Sequence, residues 1–266
     1  MEFADPDRFW STDGPFLRIA PAMPQYQGLW LKRAPQPHDP PAAYSYELSR
    51  SLYNAELAIL QRIGSHPRIA RFRGVNADPE GFLLDFYPYN LATYSMRFLL
   101  DTPFPTRVQW IVDIAEGLSF LHSQGVAWND GHFANMLLTP DLRVVLCDFG
   151  ISACPALGLA ATVFPGDLWR SPWPGTPRQD AFALGIAIFV LLAERWPHAA
   201  SLDVSLSQAA AIYGRHARRE YDAGLQNSPK PQLKMVAGIV LRCWRGEYAT
   251  AHAALSDILR WRSACS

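Results

Sequence analysis

The order of elements along the chain predicts an α+β fold, with a strand-rich N-terminal part carrying one helix ahead of a larger, mainly helical part. Three observations carry that expectation. Apolar-rich stretches bounded by turn residues at Phe16–Ala20, Gly28–Arg33, Ile69–Val75 and Gly81–Phe86 read as strands. Between the second and third, Leu48, Leu52, Ala55, Ile59 and Ile63 recur at spacings of three and four, the period of a helix. From Asn90 onward helical patterns prevail, interrupted by the short apolar runs Met136–Leu138 and Val144–Cys147 around Thr139-Pro140-Asp141, a hairpin signal.

Taken in order, Phe16–Ala20 and Gly28–Arg33 flank a turn-like stretch, Pro21–Gln27. Alternation in the second strand puts Trp30 and Lys32 on one face. Four prolines make Arg33–Ala43 a loop with polyproline II character. The helical pattern then covers Tyr44–Ile63. After the third and fourth strands, Leu91–Leu100 reads as a short helix. Thr106–Gln124 reads as a longer one that Gly125 stops. Ala181–Ala193 is the longest apolar run; it is shorter than the ~20 residues that span a bilayer and is expected to be a buried helix. Helices are also expected at Leu206–Leu225, Gln232–Trp244 and Ala249–Trp261.

Composition bounds the function. The chain has 266 residues, 49% hydrophobic and 18% charged, which is the make-up of a folded chain rather than a disordered one. Its formal net charge is zero, so no basic field argues for nucleic acid and no polybasic run for an anionic membrane. Cysteines 147, 154, 243 and 265 have neither zinc-type spacing nor the density of a disulfide framework, so reduced thiols in an intracellular, cytoplasmic setting are expected. The opening MEFADPDRFW is acidic and lacks the apolar core of a signal peptide.

The chemistry concentrates in Val126–Gly150. Asp130 precedes Asn135 by five residues, and Asp148 follows in an Asp-Phe-Gly triplet. Folding the hairpin between them brings Asn135 and Asp148 to one end, where two oxygen-bearing side chains converge as a hard cation such as Mg²⁺ requires. Asp130, on the preceding loop, is placed to meet a substrate hydroxyl.

This constellation resembles the catalytic loop and metal-binding triplet of the eukaryotic protein kinase family, whose loop reads H-R-D-x-x-x-x-N where this chain has Trp128-Asn129-Asp130 and Asn135. The resemblance runs from about residue 16 to the end. It implies a two-lobed protein-kinase-like fold: a small antiparallel β-sheet lobe plus one helix over residues 1–87, and a larger, mainly helical lobe over 88–266. It implies a phosphotransferase using ATP and Mg²⁺, with Asp130 as catalytic residue and Asn135 and Asp148 as metal ligands. Lys32 takes the place of the phosphate-binding strand lysine, and Glu56 that of the helical glutamate that pairs with it. Leu83–Pro88 resembles the segment joining the lobes, so Asp85 and Tyr87 are expected beside the adenine edge, contributing backbone groups, with Leu84 behind them. Asp180 matches the aspartate that anchors the catalytic loop. His122 is expected to be structural. Ile151–Ser171 corresponds to the activation segment, with Ser152, Thr162 and Ser171 as its hydroxyls.

The chain also departs from the family. No glycine-rich loop is evident, only Gly14, and Trp30 stands where a small residue covers the adenine ring; both predict weakened nucleotide binding. Asn129 replaces the arginine that pairs with a phosphorylated activation segment, so activity is expected not to depend on phosphorylation of Thr162 or Ser171. His132 replaces the lysine that steadies the transferred phosphoryl. Trp173 occupies the place of a glutamate that forms a buried bridge, and no arginine partner appears near Gly246–Ala251. Three functions fit: a protein Ser/Thr phosphotransferase, a pseudokinase scaffold, or an enzyme phosphorylating a small-molecule hydroxyl.

Overall fold

The computed structural model describes residues 16–17, 28–39, 45–162, 173–225 and 227–265. Gly14, residues 18–20 of the first expected strand, all of Pro21–Gln27 and Ser171 lie outside them. The described residues form an α+β fold. Strands β1 (Phe16–Leu17), β2 (Leu29–Arg33), β3 (Phe72–Ala77) and β4 (Glu80–Asp85) make one antiparallel sheet in the order β1-β2-β4-β3. Trp30 sits opposite Leu84 and Lys32 opposite Phe82. β3 begins three residues later than the apolar run suggests. Ile69 instead bridges in parallel to Leu146, with the Ala70 N–H donating to Leu146 O at 2.9 Å and the Leu146 N–H to Arg68 O at 2.9 Å. The start of that run therefore ties the sheet to the hairpin downstream.

Helix α1 (Tyr46–Ile63) starts at Ser45, whose hydroxyl accepts the Leu48 N–H at 3.3 Å. It buries Tyr53, Ala55, Ile59, Leu60 and Ile63, and Glu56 with them. A carboxylate is not buried in an apolar face without a partner.

The remainder holds a second, three-stranded sheet in the order β5-β6-β7 (Tyr89–Asn90, Met136–Leu138, Val144–Leu146) and helices α2 (Leu91–Phe98), α3 (Phe104–Ser123), α4 (Pro177–Ala193), α5 (Leu206–Ala217), α6 (Pro231–Trp244) and α7 (Ala251–Cys265). The expected hairpin is β6–β7, with Met136 opposite Leu146. α4 is apolar all round and buried from Gln179 to Leu192, packing against α3, α6 and α7. Gly185 permits a close approach of α4 to α6: a Cβ there would lie 2.7 Å from that of Cys243. Among the described residues no helix is long and apolar enough to cross a membrane.

α5 ends at Ala217, short of the expected Leu225. Arg219 turns the chain at φ 62°, and the carboxylate of Asp222 then pins the turn. It accepts N–H groups from His198 at 2.5 Å and Gly224 at 2.6 Å and pairs with Arg195 at 2.8 and 3.0 Å. Trp173 lies on the turn after α6. A Cβ at Gly246 would come 2.5 Å from its ring, so the indole fills this place by apolar contact.

His216, on α5, is buried against Phe182, Trp244 and Tyr221. Burial lowers its imidazole from the usual 6.5 to about 4. The folded protein therefore resists a proton that the unfolded chain accepts below about 6.5. Stability is lost as pH falls from there towards 4, by up to ~3 kcal/mol from this group. In His216→Phe, the midpoint of thermal unfolding should fall less between pH 7 and pH 4.5 than in the wild type; identical slopes would contradict the assignment.

Candidate active site

Two groups of polar side chains meet at one end of the β6–β7 hairpin. The first gathers on Lys32. Its ammonium forms an ion pair with Glu56 of α1 and reaches Asp148 Oδ1 at 3.3 Å. Lys32 is 6% exposed and Glu56 1%, so this contact is nearly dry. Burial alone would pull the lysine below its ordinary range, but the flanking carboxylates of Asp148 and Glu56 outweigh it and hold the ammonium above that range. Burial pushes the Glu56 carboxyl up to about 7, against the pull of Lys32 and with the help of Asp148. The lysine is thus charged and held between two carboxylates.

The second group gathers on Asp130. Asn135 donates from Nδ2 to Asp130 Oδ2 at 2.7 Å, and His132 Nε2 stands 3.2 Å from Asp130 Oδ1. A short 3-10 turn, Phe133–Asn135, carries the chain from this loop into β6. Hairpin pairing joins the two groups, since the Cys147 N–H donates to Asn135 O at 3.0 Å immediately before Asp148.

Asp148 adopts a left-handed backbone, φ 57°, which costs a residue with a Cβ about a kcal/mol or more. Its neighbours hold it there. The indole N–H of Trp128, fully buried, is shared between Cys147 O and Asp148 O, each at 3.0 Å. Asp180, at the first turn of α4, fixes Trp128 in turn. Its carboxylate accepts the N–H groups of Trp128 at 2.8 Å and Asn129 at 2.7 Å, and Nε2 of His122 lies 2.9 Å away. His122 accepts the Ala251 N–H at Nδ1, so its proton resides on Nε2 and points at Asp180. It joins α3, α4 and α7 and has a structural place.

Asp85 and Tyr87 stand apart from these groups by their side chains. Asp85 pairs with Arg73 at 2.5 Å, and the Tyr87 hydroxyl accepts the Arg71 N–H at 3.0 Å. Trp30 is 8% exposed, and its ring centroid lies 5.7 Å from that of Phe86 in the connecting segment. Ser152 is buried and donates to Trp128 O at 2.9 Å, unlike an accessible hydroxyl.

Sequence reasoning did not single out the role of Trp128 or the bond from His122 to Asp180. The signal for the first was present: Trp128 stands in the histidine place of the loop motif, and its ring nitrogen supplies a donor there.

Asn135 and Asp148 flank the β6–β7 hairpin, one just before β6 and the other just after β7. One carboxylate and one carboxamide oxygen are too few to enclose a metal, and among the described residues no cluster of three or more His, Cys, Asp or Glu does so. That donor set suits Mg²⁺, which is held by one or two protein oxygens, with phosphate and water completing its shell.

Comparison with known proteins identifies the family. The protein kinase domain family matches residues 44–235. The chain is 26% identical over 202 residues to the serine/threonine/tyrosine-protein kinase HT1 of Arabidopsis thaliana, covering 72% of this chain and 49% of that one. It is 28% identical over 178 residues to the CBL-interacting serine/threonine-protein kinase 7 of the same plant, covering 62% and 40%. It is 29% identical over 157 residues to a probable LIM domain-containing serine/threonine-protein kinase of Dictyostelium discoideum, covering 55% and 24%. The chain therefore spans half or less of the length of these relatives. With the family matched over most of its length and the hairpin, lysine and aspartates assembled as described, this chain belongs to the protein kinase family.

Proposed function

We propose that the chain transfers the γ-phosphoryl group of ATP to a hydroxyl, with a serine or threonine of a protein as acceptor. The observation that carries this reading is the buried Lys32 ammonium held between Glu56 and Asp148. A chain that kept the fold only as a scaffold has no physical need for a desolvated lysine flanked by two carboxylates, because a buried ion pair is rarely better for stability than apolar packing. In this reading residues 1–87 and 88–266 are the two lobes, and the cleft lies between them.

Each residue then has a task. Lys32 binds the α- and β-phosphates, and Glu56 keeps it from swinging away. Asn135 and Asp148 would hold Mg²⁺, which when bound neutralises charge on the phosphate oxygens. Asp130 orients the acceptor hydroxyl and takes its proton; its hydrogen bond from Asn135 sets the angle of the carboxylate. His132, beside the same carboxylate, contacts the transferred group more weakly than a lysine would. Backbone groups of Asp85 and Tyr87 meet the adenine edge. Most of the rate comes from alignment and charge neutralisation.

The test is a melting experiment with Mg·ATP, run beside Asp148→Ala. A hundredfold excess over the dissociation constant should stabilise the wild type by ~2.7 kcal/mol and leave the variant unmoved. No shift of the wild type at millimolar ATP would sink the reading and leave an interaction scaffold.

A further inference from the structure

Asn129 has a link to the far side of the site that the proposed chemistry does not use. It sits immediately before Asp130 with φ 64°, a left-handed conformation that asparagine tolerates better than most residues. Its side chain points two ways. Nδ2 donates to Ala127 O at 2.8 Å, within the same loop. Oδ1 accepts the N–H of Gly175 at 2.9 Å, 46 residues further along the chain. Its own N–H is held by Asp180, so the residue is fixed at three points.

Gly175 lies in the turn that leads into α4, with φ 77°. A Cβ there would come 3.2 Å from the Cβ of Ala161, which follows the Asp-Phe-Gly end of the activation segment. Close by, the Thr162 N–H donates to Ile151 O at 3.2 Å, and the Thr176 hydroxyl to Trp173 O at 2.8 Å. The amide of Asn129 thus joins the loop bearing Asp130 to the turn before α4, at the place where that turn meets Ala161. The bond is neutral and needs no phosphate.

We propose that Asn129 is a positioning residue: its amide oxygen ties the Gly175 turn to the loop of Asp130 and so fixes that carboxylate towards the acceptor, with no phosphate on the activation segment needed. The proposal rests on the phosphotransferase reading above. It assigns this residue a constructive task where the family's arginine is missing. One neutral hydrogen bond of ordinary strength corresponds to about tenfold in an equilibrium.

The test uses Asn129→Gly, which keeps the left-handed backbone free of strain and removes only the amide. Three quantities are measured: steady-state kinetics with a Ser/Thr peptide, the same kinetics for phosphatase-treated wild type, and amide exchange at Gly175. The expected result is a kcat/KM for the peptide reduced about tenfold, an unchanged KM for ATP, full activity of the dephosphorylated wild type, and faster exchange at Gly175 in the variant. A role in stability alone would not lower kcat/KM for the peptide while leaving the KM for ATP unchanged. The proposal is overturned if phosphatase treatment silences the wild type, or if the variant keeps wild-type kinetics and Gly175 protection. Should the wild type transfer no phosphate, the phosphotransferase reading fails separately, and exchange at Gly175 alone decides: acceleration sustains the tether, and no change overturns it.

Discussion

Asp130→Asn is expected to lower kcat for phosphoryl transfer by about 10³-fold and to leave the affinity for Mg·ATP within a factor of two or so, since a positioned proton acceptor contributes about 10²–10⁴. The substitution is nearly isosteric. The carboxylate's neighbours are Asn135 Nδ2 and His132, and the Asp130 carbonyl still receives a second contact from Asn135 at 3.3 Å. The fold should therefore be retained, with a melting temperature close to that of the wild type, while the group proposed to take the acceptor proton is gone. Lys32, Glu56 and Asp148 are untouched, so nucleotide binding is a separate readout. Initial rates beside a Mg·ATP melting series measure both. A variant with wild-type kcat would remove Asp130 from the chemistry.

Trp30→Ala is expected to have the other large effect, with opposite signs on two quantities. The indole is buried, packs on Phe86 and sits across β2–β4 from Leu84. Deleting it opens a cavity at a cost of ~3–5 kcal/mol in stability. In the proposed site Lys32 meets the phosphates, and strand alternation puts Trp30 on the same face of β2, where the adenine ring would lie. Removing the indole should therefore tighten Mg·ATP binding by about tenfold, or ~1.4 kcal/mol. Trp30→Val retains more of the packing and should show the same sign should the alanine variant fail to fold. Weaker binding in both variants would mean that the indole stacks on the base and supports it.

Much of the fold was legible because its signals are local. The three- and four-residue spacing of Leu48 to Ile63 marked α1 to within two residues of its start. Thr139-Pro140-Asp141 between two apolar runs marked the β6–β7 hairpin. The all-apolar run after Asp180 marked α4 as buried. The differences have nonlocal causes. The apolar start of the third strand pairs with Leu146 rather than within the first sheet, a choice that only tertiary contact makes. The helix expected to Leu225 stops at Ala217 because Asp222, Arg195 and His198 build a hydrogen-bonded turn from residues 24 to 27 positions apart.

The site follows the same division. The Asp130–Asn135 spacing and the Asp-Phe-Gly triplet are contiguous and readable. The partnership of Lys32 with Glu56 and Asp148 spans 24 and 116 residues and was reachable only through resemblance to the family. Of the supports of Asp148, the Trp128 indole stands in the histidine place of the loop motif and Asp180 was reached through the resemblance, whereas the bond from His122 to Asp180 left no pattern at fixed spacing. Their donors and acceptors belong to α3, the catalytic loop and α4, and they converge only on folding.

The central claim is that Lys32, Asp130, Asn135 and Asp148 form one phosphoryl-transfer site. Its most direct test is to incubate the protein with Mg·ATP labelled at the γ-phosphate and a set of Ser/Thr peptides, beside Lys32→Met, Asp130→Asn and Asp148→Ala. Label on a hydroxyl side chain with the wild type, and none above background with any of the three variants, is the predicted result. Equal labelling by wild type and variants, or a wild type that binds Mg·ATP yet transfers nothing, would contradict it.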